Sequence, residues 1–183
     1  IGRLVDQKGL DILVPAVEEM AKLGWQLIVL GTGDEEFHKA LRVMQKRRPQ
    51  HLGLNITFDL KMAKRIYSGC DFFLTPSRFE PCGLGPMFAL RFGTIPIVRE
   101  TGGLADSIHE FNPKTGDGNG FIFPGYKTEN LLTAMKRAVG IFQDSKLMTK
   151  LIKNGMACDF SWETSARKYV QVYEKAERKP LQV

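Results

Sequence analysis

Short apolar runs alternate along this sequence with longer segments in which apolar residues recur every three or four positions. The short runs have the length of buried strands, and the longer segments have the spacing of helices. Strands are therefore predicted at 25–31, 55–58, 71–76, 95–99 and 120–123. Helices are predicted at 9–23, 35–48, 61–69, 83–92, 104–110, 131–142, 146–156 and 162–176. This alternation is typical of a doubly wound parallel α/β sheet, and the last three helices form a C-terminal extension.

Length and composition limit the class of protein. The chain has 183 residues, of which 43% are hydrophobic and 25% charged, which excludes a disordered tail, a collagen-like repeat and a coiled coil. No apolar run approaches the roughly 18 residues of a membrane helix, so no membrane partner is expected. The first residues carry neither a signal peptide nor an initiator Met, and we expect the chain to begin inside a longer protein.

The cysteines and histidines do not form a framework of ligands or disulfides. Three widely spaced cysteines, Cys70, Cys82 and Cys158, match neither a disulfide set nor the paired spacing of a zinc site. The three histidines also lack the spacing of metal ligands. We therefore expect no bound metal and a reducing, cytoplasmic location.

The net charge is positive. It amounts to +6, with a pI near 9.3, which permits anionic partners such as nucleotides, phosphates or nucleic acid. Much of this charge lies on predicted helix faces, at 46–48 and 146–153. Aromatic residues do not alternate with the basic ones as a single-stranded nucleic-acid platform requires, so no nucleic-acid partner is expected.

The first candidate site is loop A, residues 2–9. Ligands of doubly wound sheets bind outside the carboxyl ends of the strands, and loop A follows what resembles the end of a strand. It places Arg3 and Lys8 just before a helix N-terminus. A guanidinium, an ammonium and helix-end amides together make a phosphate site, whereas the simpler alternative is a pair of solvated surface charges.

Two further strand ends carry weaker signals. Loop B, residues 31–34, reads Gly-Thr-Gly-Asp and lacks the third glycine of a dinucleotide fingerprint. Its glycines serve either a close approach to a ligand or only a tight turn. Loop C, residues 57–59, contains Phe58, whose ring either stacks on a base or joins the core.

The most informative segment is loop D, residues 75–86, which reads Thr-Pro-Ser-Arg-Phe-Glu-Pro-Cys-Gly-Leu-Gly-Pro. A helix N-terminus there would attract an anion, and Glu80 beside it could accept hydrogen bonds from a hydroxylated ligand or remain a surface carboxylate. Cys82 has no histidine nearby in sequence, so we expect a small residue packed against the ligand rather than a nucleophile. The amides that would point at the anion belong to Gly83, Leu84 and Gly85.

Loop E, residues 100–106, offers a second set of small residues after a strand. Thr101, Gly102 and Gly103 stand between the predicted strand at 95–99 and the next helix, where paired glycines can expose amides to a phosphate. Loops A, D and E together favour a ligand that carries a diphosphate.

These motifs resemble those of the glycogen and starch synthases, which are glycosyltransferases of the GT-B fold. The resemblance covers residues 1 to about 176 and includes a helix that begins with Asp-Phe-Ser-Trp. The matching motifs are Gly-Arg-Leu-x-x-Gln-Lys-Gly-Leu-Asp at 2–11, Pro-Ser-Arg-Phe-Glu-Pro-Cys-Gly-Leu at 76–84, and Gly-Thr-Ile-Pro-Ile-Val-Arg-x-Thr-Gly-Gly-Leu-Ala-Asp at 93–106.

The resemblance implies a function and a set of roles. Such enzymes transfer glucose from ADP-glucose to the non-reducing end of an α-1,4-glucan, with retention of configuration and without a metal or other cofactor. Arg3 and Lys8 then hold the diphosphate, and Glu80 binds sugar hydroxyls. The residues expected against glucose, phosphate and adenine are Cys82, Gly83, Leu84, Gly85, Thr101, Gly102, Gly103 and Phe58.

The resemblance also implies a domain organisation. Residues 1–158 correspond to the nucleotide-sugar-binding domain with a truncated first strand, residues 159–176 to a helix that returns to an N-terminal domain, and 177–183 to a tail. The N-terminal domain, with its Lys-x-Gly-Gly loop, catalytic histidine and most of the acceptor groove, is not part of this sequence. We therefore expect the isolated chain to be inactive, and its location to be a plastid if it comes from a plant.

Two positions depart from the family pattern and leave alternatives open. Pro86 replaces a polar residue, and Phe88 stands where related GT-B enzymes carry a second glutamate for the ribose. The alternatives are another GT-B glycosyltransferase that uses a UDP- or GDP-sugar, and a non-catalytic carbohydrate-binding module.

Overall fold

The computed structural model describes residues 1–177, and these form five strands, eight α-helices and one 3-10 helix at Asp6–Lys8. The strands are β1 Leu27–Gly31, β2 Leu52–Ile56, β3 Phe72–Thr75, β4 Ile95–Arg99 and β5 Phe121–Phe123. The α-helices are α1 Leu10–Lys22, α2 Glu35–Arg47, α3 Leu60–Gly69, α4 Leu84–Phe92, α5 Gly102–Ser107, α6 Thr128–Phe142, α7 Ser145–Met156 and α8 Trp162–Glu177. Within the described residues, no helix combines the length and the apolar character needed to cross a membrane.

Every strand pair is parallel, which confirms the predicted α/β class. β1 pairs with β2 in a two-stranded sheet, and β3, β4 and β5 form a three-stranded sheet in that order. In the described part of the chain, no hydrogen-bonded strand joins the two sheets, so β1 and β3 are the edges that face each other.

One main core lies between the strands and the helices that cover them. α1 and α6 each bury an apolar stripe at helical spacing, for example Leu13 and Val17 in α1 and Leu131 and Met135 in α6. Burial of each such large side chain stabilises the fold by about 1.5–3 kcal/mol. This packing holds the carboxyl ends of the strands, and the loops that follow them, in fixed positions.

Two predicted elements are displaced in the structure. β2 begins at Leu52 rather than at 55 and ends at Ile56 rather than at 58, because its register pairs Leu52 with Leu27 and because Asp59 already accepts the Met62 N–H as the cap of α3. α5 begins at Gly102 rather than at 104 and ends at Ser107. The predicted end of that helix is extended instead, since Glu110 forms a parallel bridge with Gly120.

α8 leaves a row of large apolar side chains in solvent. None of its residues is buried, and Trp162 and Tyr173 are 88% and 67% exposed. We expect the chain to self-associate through this face, because burial of exposed apolar surface drives association. Light scattering at rising concentration should show oligomers that the double substitution Tyr169→Glu and Tyr173→Glu disperses. A monodisperse monomer at high concentration would contradict this expectation.

Candidate functional site

Loops A and D are in direct contact. Gly9 has a φ of 73°, and a Cβ atom built on it would lie 2.0 Å from the carbonyl oxygen of Pro76. The Arg78 N–H also donates to the Gln7 carbonyl at 2.8 Å. A glycine at position 9 therefore allows the first turn of α1 to approach the end of β3.

The contact brings Lys8 and Glu80 together. The Lys8 Nζ donates to Glu80 Oε2 at 2.5 Å, and the Ser77 hydroxyl donates to the same oxygen at 3.2 Å. The two charged side chains are only 27% and 11% exposed. The residue expected to bind phosphate, Lys8, is thus paired with the residue expected to bind the sugar, Glu80, close to the start of α4.

Arg3 stands on the same loop and is held by a residue outside the predicted set. Its Nη2 donates to Gln7 Oε1 at 3.2 Å, and Gln7 Nε2 donates to the Phe79 carbonyl at 3.2 Å. Gln7 therefore ties the Arg3 guanidinium to loop D. A bridging glutamine has no signature in sequence beyond its place inside the Gln-Lys-Gly motif.

Loop E packs directly onto loop D. Cβ atoms built on Gly102 and Gly103 would lie 2.3 Å from the carbonyl oxygens of Glu80 and Cys82, respectively. The Gly103 N–H donates to the Glu80 carbonyl at 3.0 Å. The sequence predicts that these glycines expose their amides to a ligand. In the structure, the Gly103 amide instead donates to loop D, and both glycines pack closely against it. Thr101 precedes them as the N-terminal cap residue of α5.

The N-terminus of α4 opens beside Glu80. Gly83 caps this helix with a φ of 85°, and Leu84 and Gly85 form its first turn. The first-turn amides of a helix have no acceptor within the helix, so they are available to an anion. Pro86 takes a position in this turn where a missing N–H costs nothing, and Cys82 is exposed on the approach.

Loop D is also stabilised by contacts of Arg99, Arg78 and Tyr126. Arg99, at the end of β4, donates from Nε to the Ser77 carbonyl at 2.8 Å, and its Nη2 donates to the Arg78 carbonyl. Arg78 forms ion pairs with Asp6 and Asp11 and lies 4.5 Å from the ring centroid of Tyr126. Burial, and then the hydrogen bond to Asp11, raise the pKa of the Tyr126 phenol.

Loop B packs against loop A, whereas loop C does not join this cluster. The glycines of loop B allow close packing, because a Cβ atom on Gly31 would lie 1.8 Å from the Gly2 carbonyl oxygen and one on Gly33 would lie 2.3 Å from that of Leu4. Phe58 follows β2, is 80% exposed, and does not line the cleft. The structure thus brings together the predicted residues of loops A, D and E and leaves Phe58 outside the cleft.

A cleft of about 840 Å³ connects these groups to the gap between the two sheets. Arg3, Lys8, Glu80 and the start of α4 line one part, and residues of β1, β3 and the helices α1, α3 and α6 line most of the rest. Among residues 1–177, no three His, Cys, Asp or Glu side chains cluster in a way that could hold a metal ion. The site can therefore offer cations, free amides and one carboxylate to a ligand.

Comparison with known proteins identifies the family of this chain. The family model for glycosyl transferases group 1 matches residues 1–157. The chain is 48% identical over 179 residues to a glycogen synthase of Fervidobacterium nodosum and 47% identical over 177 residues to one of Thermotoga maritima. These matches cover 98% and 96% of the chain but only 37% and 36% of the two relatives.

A solved structure shows the same fold. The catalytic domain of starch synthase IV from Arabidopsis thaliana, bound to ADP and acarbose, superposes with a TM-score of 0.85 at 32% identity. The superposition covers 97% of this chain and 38% of that one. The predicted resemblance to glycogen and starch synthases is therefore confirmed, and the chain belongs to the family of glycosyl transferases group 1.

Proposed function

We propose that this chain is the nucleotide-sugar-binding part of a glycogen or starch synthase. The reaction we assign transfers glucose from ADP-glucose to the non-reducing end of an α-1,4-glucan, with retention of configuration. The observation that carries the proposal is the meeting of Lys8, Glu80 and the start of α4 at one end of the cleft. A cation, a carboxylate and free amides suit a ligand that joins a diphosphate to a sugar.

The chemistry of the leaving group explains the cations. When the glycosidic bond to the diphosphate breaks, negative charge develops on the phosphate oxygens. Preorganised cations and amides stabilise that charge, and loss of one such contact typically costs about 2.7–4 kcal/mol of transition-state stabilisation. We assign this role to Arg3, Lys8 and the amides of Gly83, Leu84 and Gly85, and no metal or cofactor is needed for it.

The remaining predicted residues are assigned to the sugar, to the support of loop D and to the adenine. Glu80 accepts hydrogen bonds from the sugar hydroxyls, and Cys82 packs against the sugar. Thr101, Gly102 and Gly103 hold loop D against the ligand, and the close approaches of the two glycines to the Glu80 and Cys82 carbonyls support this role. Phe58 is assigned to the adenine, on which an exposed ring at a strand end could stack.

The glucan acceptor needs a binding surface larger than this chain provides. The chain spans about 37% of the length of the relatives that it matches. We therefore propose that the glucan binds mainly to protein outside these residues, and that the isolated chain binds ADP or ADP-glucose without elongating glucan. We propose a cytoplasmic location, or a plastid in a plant.

Calorimetry with the folded chain tests the proposal. We expect ADP to bind and the substitution Arg3→Ala to weaken its binding at least about tenfold, since a hydrogen bond to a charged group is worth roughly 1.5–3 kcal/mol. The matched control is Arg47→Ala, at the exposed C-terminal end of α2, which should leave the affinity unchanged.

Three outcomes would contradict the assignment. The absence of ADP binding to a folded sample would contradict the assignment of a diphosphate site. Tighter binding of UDP or GDP than of ADP would favour a glycosyltransferase with a different donor. Retention on a glucan column that nucleotide does not alter would favour a non-catalytic carbohydrate-binding module.

A further inference from the structure

His38 is a buried ionisable residue to which the proposed function gives no role. It lies in the first turn of α2, and only 7% of it is exposed. The Gly33 N–H donates to the ring nitrogen Nε2 at 3.1 Å, and the Glu35 carboxylate oxygen Oε2 lies 3.2 Å from the other ring nitrogen, Nδ1. Because both nitrogens have partners, the ring is held in one orientation.

These partners define the protonation state of the ring. A nitrogen that accepts a hydrogen bond from a main-chain N–H carries no proton, so Nε2 of His38 is unprotonated. The proton of the neutral ring is then on Nδ1, which donates it to the Glu35 carboxylate. Glu35 thus favours the tautomer in which His38 can accept from Gly33.

Gly33 is the residue at which loop B pairs with loop A. It forms a parallel bridge with Leu4, whose N–H donates to the Thr32 carbonyl at 2.9 Å and whose carbonyl accepts from the Asp34 N–H at 2.8 Å. A Cβ atom built on Gly33 would lie 2.3 Å from the Leu4 carbonyl oxygen. A change in the path of loop B at Gly33 would therefore displace Leu4.

Arg3 lies between two residues of loop A whose main chains are hydrogen-bonded. On one side, the Gly2 N–H donates to the Leu30 carbonyl at 3.0 Å, and on the other side Leu4 is bound to loop B. Leu4 is also buried in the core. The direction in which the Arg3 side chain leaves the main chain thus depends on the position of loop B.

The start of α2 is tied to loop B by His38. In the described part of the chain, the side chain of Asp34, the N-terminal cap residue of α2, accepts no hydrogen bond from the first turn of the helix. His38 instead reaches back to the N–H of Gly33, which precedes the helix, much as the second residue of a capping box reaches back to a main-chain N–H. Loss of this acceptor would free the Gly33 amide from α2.

We propose that His38 is a positioning residue for the diphosphate. Its neutral ring holds the Gly33 amide and with it loop B, and loop B fixes the main chain that follows Arg3. The inference rests on the proposed function, since it requires Arg3 to bind the diphosphate. His38 acts through Arg3 and not on the ligand, because both of its ring nitrogens are already bound by protein groups.

Calorimetry with ADP and folded variants tests this proposal. The substitution His38→Leu removes the acceptor and keeps an apolar side chain, whereas His38→Gln returns an acceptor oxygen at the same number of bonds from the main chain. We expect His38→Leu to weaken ADP binding several-fold and His38→Gln to bind ADP like the unaltered chain. The matched control is His51→Leu, because the His51 ring forms a hydrogen bond with the Trp25 carbonyl before the start of β1, whereas loop B follows the end of that strand.

A double-substitution cycle with Arg3→Ala distinguishes positioning from a general loss of stability. If His38 acts through Arg3, His38→Leu should change the ADP affinity little in a chain that already lacks the Arg3 side chain. The same loss in both backgrounds would overturn the proposal, and so would His38→Gln binding ADP as weakly as His38→Leu. If His38→Leu binds ADP as tightly as the unaltered chain, the proposal is overturned and the diphosphate assignment stands. The absence of ADP binding to the unaltered chain would overturn both.

Nuclear magnetic resonance of the unaltered chain tests the contact itself, even if His38→Leu does not fold. Two-bond proton–nitrogen correlation spectra of the imidazole rings should show that His38 carries its proton on Nδ1 at neutral pH. A ring protonated on Nε2 could not accept from the Gly33 N–H, and this result would overturn the proposal.

Discussion

Replacement of Gly9 by alanine should lower the free energy of unfolding by about 3 kcal/mol. The backbone at Gly9 has a φ of 73°, which costs a residue with a Cβ atom roughly 1–2 kcal/mol. The new Cβ atom would also lie 2.0 Å from the Pro76 carbonyl oxygen, and overpacking of this kind typically costs about 1–3 kcal/mol. Urea denaturation monitored by circular dichroism measures the change.

Gly24 provides a matched control. Its φ of 78° is almost the same, but a Cβ atom there would meet no atom within 4 Å. The substitution Gly24→Ala should therefore cost only the conformational part, about 1–2 kcal/mol. Equal losses for the two variants would show that loops A and D do not approach this closely, and the basis of the candidate site would be lost with them.

Replacement of Lys8 by alanine should weaken ADP binding by about 10- to 150-fold, because a hydrogen bond to a charged group is worth roughly 1.5–3 kcal/mol. The effect has two sources. The diphosphate loses its ammonium partner, and Glu80, which is only 11% exposed, is left without the cation that balances it. Isothermal titration calorimetry gives the affinity, and Lys136→Ala on the exposed face of α6 is the control.

Substitution of Glu80 should not weaken ADP binding as substitution of Lys8 does. The substitution Glu80→Gln removes the charge that holds Lys8, so we expect ADP to bind at least as tightly as before and ADP-glucose to lose its advantage over ADP. The double variant should lie between the two single variants. If Glu80→Gln weakens ADP binding as strongly as Lys8→Ala, the division of roles between phosphate and sugar is wrong.

The alternation of apolar runs was sufficient to predict every strand of the described chain and its parallel class. The boundaries were less accurate where tertiary contacts decide them. β2 extends back to Leu52 because that residue pairs with Leu27, although its local sequence, with glycine and asparagine, has low strand propensity. α5 starts at Gly102, where close packing on Glu80 leaves no room for a side chain, and a glycine pair is a poor sequence signal for a helix.

For the candidate site too, the sequence predicted the types of residue but not their contacts. The types of residue that a diphosphate requires could be read from loops A, D and E. The contact between Lys8 and Glu80 could not, since it joins residues 72 positions apart and depends on how the loops pack. Gln7 and Arg99 were also missed, because their side chains act on the carbonyls of Phe79 and Ser77 rather than on a ligand.

The ion pair between Lys8 and Glu80 has a consequence for selectivity. The Lys8 ammonium is already paired with the Glu80 carboxylate, so we expect a small anion such as inorganic phosphate to gain little by binding, because it competes with the carboxylate and donates no hydrogen bond to it. A molecule that presents an anion to Lys8 and hydroxyl groups to Glu80 satisfies both partners at once. We therefore expect the site to discriminate against inorganic phosphate and to favour a compound that carries both kinds of group.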